Sequence, residues 1–291
     1  MRPLTLCYRV TKDAYYRFLA DDGWAIASHI ALSALMSLFP FLILVTALGG
    51  FLFGSTQLAD EVASILLQAW PTEVATPIAG EIRRVLLGAR NDLLTVGVAL
   101  AIYFASSGIE RLRIGLNRAY GVPESRSWWL LRLESIGYVL LAAVGLLALS
   151  FLIVLAPLII TTAVRYFPKL EPLWSMFNFL RISVAATVLI VALFIVHKWL
   201  PAGRRPFVTI LPGIAVTLVL WLITGELFGD YLANFAYTYV SYYAGLASVM
   251  IALVFLYMIA SIFIMGGELN AAILRWRAAQ AFVKVSQNSD G

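Results

Sequence analysis

Ala244–Gly267 reads AGLASVMIALVFLYMIASIFIMGG, 24 residues without a charge. A helix of about 20 such residues covers the roughly 30 Å hydrocarbon core of a bilayer. Five more apolar runs precede it: Ile26–Phe53, Leu93–Ile109, Ile136–Val164, Leu180–Trp199 and Phe207–Phe228. Each has about the length a spanning helix needs. In lipid every backbone N–H and C=O must be satisfied within the protein, and a helix does this locally. The expected fold is all-α, a polytopic membrane bundle of six transmembrane helices.

Composition points the same way. Hydrophobic residues make up 62% of the 291 and charged residues 13%. Soluble domains sit near 45–50% and 25%, so one aqueous core could not hide this surface. Six spans leave little chain for anything else, and residues 1–291 read as one membrane domain. The lone Cys7 excludes an intrachain disulfide and a cysteine metal site. Arg2, Arg9, Lys12 and Arg17 alternate with Leu4, Tyr8, Tyr15, Phe18 and Leu19. Residues 1–22 therefore read as an amphipathic surface helix, with no cleavable signal.

The cations sort by gap. The amino end, the second and fourth gaps and the tail (275–291) hold 15 Lys and Arg, against 6 in the other gaps. Cytoplasmic loops are the Lys/Arg-rich ones, so both termini are expected in the cytoplasm of a bacterial inner membrane. The net charge of +5 then needs no nucleic-acid partner. In the first outward gap, 55–90, Leu58, Val62, Ile65, Leu66 and Trp70 share a helical face. Val74, Ile78, Ile82, Val85 and Leu86 resume it after Pro71. Two amphipathic helices on the outer face are expected. Tyr231, Tyr237, Tyr239, Tyr242 and Tyr243 in the fifth gap suit the headgroup level.

Polar groups within spans need a reason, because an unpaired one is costly in hydrocarbon. His29, Ser33 and Ser37 form one stripe of the first span. Tyr103, Ser107 and Glu110 form another on the second, followed by Arg111, Arg113 and Asn117. Ser261, Glu268 and Asn270 close the sixth. Two readings compete. The stripes line a cavity for a substrate or ion, with His29, Glu110 and Glu268 at similar depth near the cytoplasm and Arg111, Arg113, Asn117 and Arg126 meeting anionic groups or lipid. Alternatively, small hydroxyl residues simply pack helices, and the carboxylates pair with nearby arginines. Glu226, near the outer end of the fifth span, is a further cavity candidate. Pro40, Pro212, Gly213 and Gly245 are candidate hinges.

No GxxxxGK[ST], HExxH or GxSxG motif occurs, and the two histidines, His29 and His197, lie on different spans. Neither ATP hydrolysis nor a His-rich metal centre is expected, nor a cofactor, nor catalysis.

Ala27-Ser28-His29-Ile30-Ala31 through Leu38-Phe39-Pro40 opens the first span. Gly115-Leu116-Asn117-Arg118-Ala119-Tyr120 with Glu124-Ser125-Arg126 follows the second. Leu211-Pro212-Gly213, Phe228-Gly229-Asp230-Tyr231-Leu232 and Gly267-Glu268-Leu269-Asn270-Ala271 come later in that order. Together these stretches resemble the YihY/BrkB family of bacterial inner-membrane proteins over most of the chain. Tyr243-Ala244-Gly245 departs from the family's Tyr-Gly. The resemblance implies six spans and no settled activity. Its older labels are ribonuclease BN, which the missing metal ligands oppose, and a virulence factor linked to serum resistance. The expected function is translocation of a lipid, organic anion or small solute without ATP. The alternative is a structural protein binding envelope partners, and a ribonuclease or lipid-modifying enzyme ranks last. Membrane lipids are the expected partners.

Overall fold

The computed structural model describes residues 3–53, 91–150, 173–243 and 246–289. The expected outer helices of 55–90 and the candidate hinge Gly245 lie outside the described residues. Among those residues there are seven helices and no strand: α1 (Pro3–Ala20), α2 (Gly23–Phe53), α3 (Asn91–Ala119), α4 (Trp128–Ser150), α5 (Leu173–Trp199), α6 (Phe207–Tyr243) and α7 (Ala247–Ser289). Among the described residues four stretches are long and apolar enough to cross a membrane: Gly23–Val45, Trp128–Leu149, Phe207–Phe235 and Ala247–Phe282. Ser183–Trp199 is a shorter apolar helix, and Leu93–Ile109 lies within α3. At 1.5 Å per residue the 43 residues of α7 run roughly 64 Å, twice the hydrocarbon thickness.

The chain divides into two compact units. The first comprises 1–35, 110–127 and 192–291, the second 36–109 and 128–191. In the first, α1 buries Val10, Ala14 and Phe18, a 4-residue spacing that makes one face. That face lies on α7 against Leu269, Ala272, Ile273 and Trp276. Asp13 fastens the contact, accepting bonds from Arg275 Nη2 at 2.9 Å and Nε at 3.2 Å. Asp22, with φ of 55°, turns the chain into α2. Gly23 follows because a Cβ there would overlap the Phe18 ring.

In the second unit Leu44, Val45, Ala105, Val139, Ala143 and Leu147 form the core joining α2, α3 and α4. Ser37 meets Gly108, where a Cβ would lie 2.6 Å from its Oγ. Arg132 of α4 is buried, donates to Tyr103 O at 2.6 Å and stacks 3.8 Å over the Tyr103 ring.

Candidate functional site

The polar side chains of the first unit gather where α3 ends and α6 begins, against the middle of α7. The end of α3 is closed by its sequence. Gly121, at φ of 63°, takes the left-handed position after the helix, a conformation that is cheap only for glycine. Gly121 N–H then bonds Arg118 O and Val122 N–H bonds Asn117 O, both at 2.9 Å, a Schellman ending with Pro123 behind it.

Asn117 is the hub of this end. Its Oδ1 accepts from Ala202 N–H at 2.7 Å, and its Nδ2 donates to Glu124 Oε2 at 3.0 Å. Glu124 is gripped by Arg126 through Nε at 2.9 Å, Nη2 at 2.8 Å and its backbone N–H at 3.2 Å. Those bonds pull the carboxyl from 4.5 down to about 2, against a smaller opposing effect of burial. Arg126 Nη2 also donates to Leu200 O at 3.0 Å. The 120–127 connection is thereby bolted to the 200–206 connection.

Arg205 lies inward of these bonds. It is buried, donates to Pro201 O and Ala202 O, and stacks 4.0 Å above the Tyr120 ring. Burial lowers its pKa, since desolvation disfavours the charged form. Burial is also the main reason the Tyr120 hydroxyl is pushed up to about 12, partly offset by its bond from Asn270. Asn270, fully buried, reaches two elements at once. Its Oδ1 accepts from Gly213 N–H at 2.7 Å and its Nδ2 donates to Tyr120 Oη at 3.3 Å. Pro212 has no N–H and disturbs the first turns of α6, so a side chain from α7 bonds the backbone there. The two helices cross closely: a Cβ at Gly213 would overlap Gly266 O, and one at Gly266 would overlap Thr217 Oγ1.

Glu268 stands two residues beyond Gly266, so it points away from the α6 crossing, and it is 1% exposed. Its Oε2 makes no hydrogen bond among the described residues, and Asp21, Arg275 and Arg17 act on it electrostatically. Arg113, 2% exposed, pairs with Glu110 at 3.8 Å. His197 is fully buried, with Nδ1 3.0 Å from Leu193 O and its ring 4.8 Å from Phe263.

The expected site residues therefore separate. Arg113, Asn117, Arg126, Gly213, Ser261, Glu268 and Asn270 fall within the first unit, and all but Arg126 are buried. Pro212, Glu110 and Arg111 of that unit are half-buried. Ser33 is half-buried, whereas His29 and Glu226 are exposed. Pro40, Ser37, Tyr103 and Ser107 belong to the second unit, where Ser107 donates to Tyr103 O at 3.4 Å. Sequence reasoning missed the half-buried Tyr120 and the buried Arg205 as polar groups of this site. Their signal was weak: one closes a motif read only as a resemblance, the other sits in a short basic connection counted only for its charge.

Two comparisons bear on identity. The profile of a family described as virulence factor BrkB matches residues 14–288. A relative from Bacillus subtilis (strain 168), named as a ribonuclease-like protein, YfkH, is 26% identical over 262 residues, 90% of this chain and 94% of its own. No solved structure matches. The chain belongs to the BrkB family.

Proposed function

We propose that this BrkB-family membrane protein is a translocation protein of the bacterial inner membrane that moves a lipid, organic anion or small solute without ATP. In this reading the chain spans six times, with Leu93–Ile109 of α3 and Leu180–Trp199 of α5 added to the four long apolar helices. Both termini lie in the cytoplasm, as the Lys and Arg distribution argues. The observation that carries the proposal is Glu268. It is buried at the end of an uncharged run, within reach of the charges of Asp21, Arg275 and Arg17, with one carboxylate oxygen unbonded among the described residues. An ionisable group kept in such a place is costly unless it serves a pathway or a partner. Arg113 and Arg205 bring buried positive charge to the same unit, so an anionic group suits it.

The second reading, a structural protein for envelope partners, is favoured by the bonds around Asn117, Arg126 and Asn270, which all end on neighbouring chain. Catalysis ranks last. The name of YfkH points to ribonuclease-like proteins, but among the described residues here no three His, Cys, Asp or Glu side chains gather as metal ligands.

The test is flux in liposomes with an anionic fluorescent lipid and a small organic anion, comparing wild type, Glu268→Gln and the exposed His29→Ala. Wild type and His29→Ala should exceed empty vesicles alike, with Glu268→Gln at least tenfold slower. Wild-type flux equal to empty vesicles for both probes sinks the transport reading and leaves the structural one.

A further inference from the structure

Beside the end of α5 lies a depression of about 300 Å³, lined by Arg126, Lys198, Trp199, Gly203 and Arg204 among others. It is distinct from the Glu268 neighbourhood. Its lining holds three cations and no carboxylate. Counting Glu124, bound to Arg126 from outside the lining, the local charge is +2. Arg204 is exposed, while Arg126 is fixed by Glu124 and Leu200 O and Lys198 Nζ donates to Arg205 O. Two cations are thus held in place by bonds within the protein, and the third is exposed at the rim. Gly203 keeps the space open. At φ of 86° it excludes other residues, and nothing lies within 4 Å of where a Cβ would stand.

The depression begins where the apolar run Leu180–Trp199 ends. Trp199 is half exposed at that edge, the depth at which indoles sit in a membrane interface. Three cations at a headgroup edge match a phosphate, whose several oxygens accept from separate donors at once.

We propose that this depression binds a phosphate group at the membrane surface, carried either by a phospholipid or by a water-soluble phosphate ester. The inference rests on α5 ending at the interface, and it does not need the protein to transport anything.

The full-length protein in detergent is stripped of lipid and offered phosphatidylglycerol or diacylglycerol of the same chains. Retention is counted by native mass spectrometry. Glycerol phosphate is titrated calorimetrically in parallel. The lipid source requires retention of phosphatidylglycerol over diacylglycerol. The affinity should fall about fivefold in Arg204→Gln, the effect of one surface cation, and recover in Arg204→Lys. The soluble source is indicated when glycerol phosphate binds and Arg204→Gln weakens it by a similar factor. Unchanged thermal unfolding of Arg204→Gln separates lost binding from lost fold; were it to shift, Arg204→Lys, which keeps the charge, carries the comparison. Equal retention of both lipids with no heat from glycerol phosphate overturns the proposal. So does unaltered binding in both Arg204→Gln and Lys198→Gln. Because binding is read without flux, either result leaves the transport reading to its own assay.

Discussion

Asn270 carries more of this architecture than its single side chain suggests. From α7 it bonds both the backbone of α6 and Tyr120 at the end of α3. Replacing it with Leu, nearly the same shape, leaves Gly213 N–H buried without that acceptor. An unsatisfied buried donor costs about 1–3 kcal/mol. Asn270→Leu should therefore unfold at lower temperature in detergent, while the exposed Glu226→Gln should stay within about 0.5 kcal/mol of wild type. Glu124 gives a pH signature. Its folded carboxyl, held at about 2 by Arg126 and Asn117, lies below its ordinary 4.5. A depressed carboxylate adds stability that is complete above the unfolded value and vanishes as pH falls through the folded one. The gap in unfolding temperature between wild type and Glu124→Gln should be constant above about pH 5.5 and close toward pH 2. A gap independent of pH across that window would mean the charge on Glu124 is not what holds the two connections.

At the scale of elements, the glycines of α4 and those of α6 and α7 have two roles that look identical in the sequence. Gly213 and Gly266 sit at a helix crossing with no room for a methyl group, whereas Gly137 on α4 has nothing within 4 Å of its absent Cβ. Gly213→Ala should destabilise by about 1–3 kcal/mol, the usual result of forcing atoms into a full contact. Gly137→Ala should stabilise by about 0.5–1 kcal/mol, since alanine restricts the unfolded chain at no steric cost. Opposite signs in a paired unfolding measurement check the assignment; equal signs reject it. The same contrast explains what the sequence could and could not tell. Length and apolarity make the helices legible, because a bilayer-length run of Leu, Val and Ile has few alternatives. Spacing on one helix cannot say which neighbour its stripe meets. His29, Ser33 and Ser37 share a stripe, yet His29 is exposed, and Ser37 faces Gly108 in the second unit. Glu268 and Asn270 are buried because α1, α3 and α6 cover that part of α7, a tertiary fact with no local signature. Gly213 read as a hinge from its proline neighbour; its place against Gly266 adds a packing role that composition does not encode.

For the whole molecule the deciding property is which side of the membrane each end occupies. In the proposed reading the Lys and Arg imbalance of 15 to 6 puts both termini on the cytoplasmic side, and only an even number of spans would allow that. Four long apolar helices satisfy parity as well as six do, so parity tests the charge argument, and the connections test the count. Cys7, exposed on α1 and the chain's single cysteine, is a built-in reporter. In intact spheroplasts a membrane-impermeant maleimide should leave Cys7 unlabelled, and in inverted vesicles it should label it fully. In a Cys7→Ser background, Ser289→Cys should behave identically, whereas a cysteine placed at the exposed Asp230, just beyond the run Phe207–Phe228, should label only from outside. If α3 and α5 both cross, Ser127→Cys and a cysteine at the exposed Arg204 report the cytoplasm, because each follows an even number of crossings. If neither crosses, residue 127 follows a single span and must label from outside, while residue 204, after two, still labels from within. The label at 127 thus separates six spans from four by the side on which it reacts.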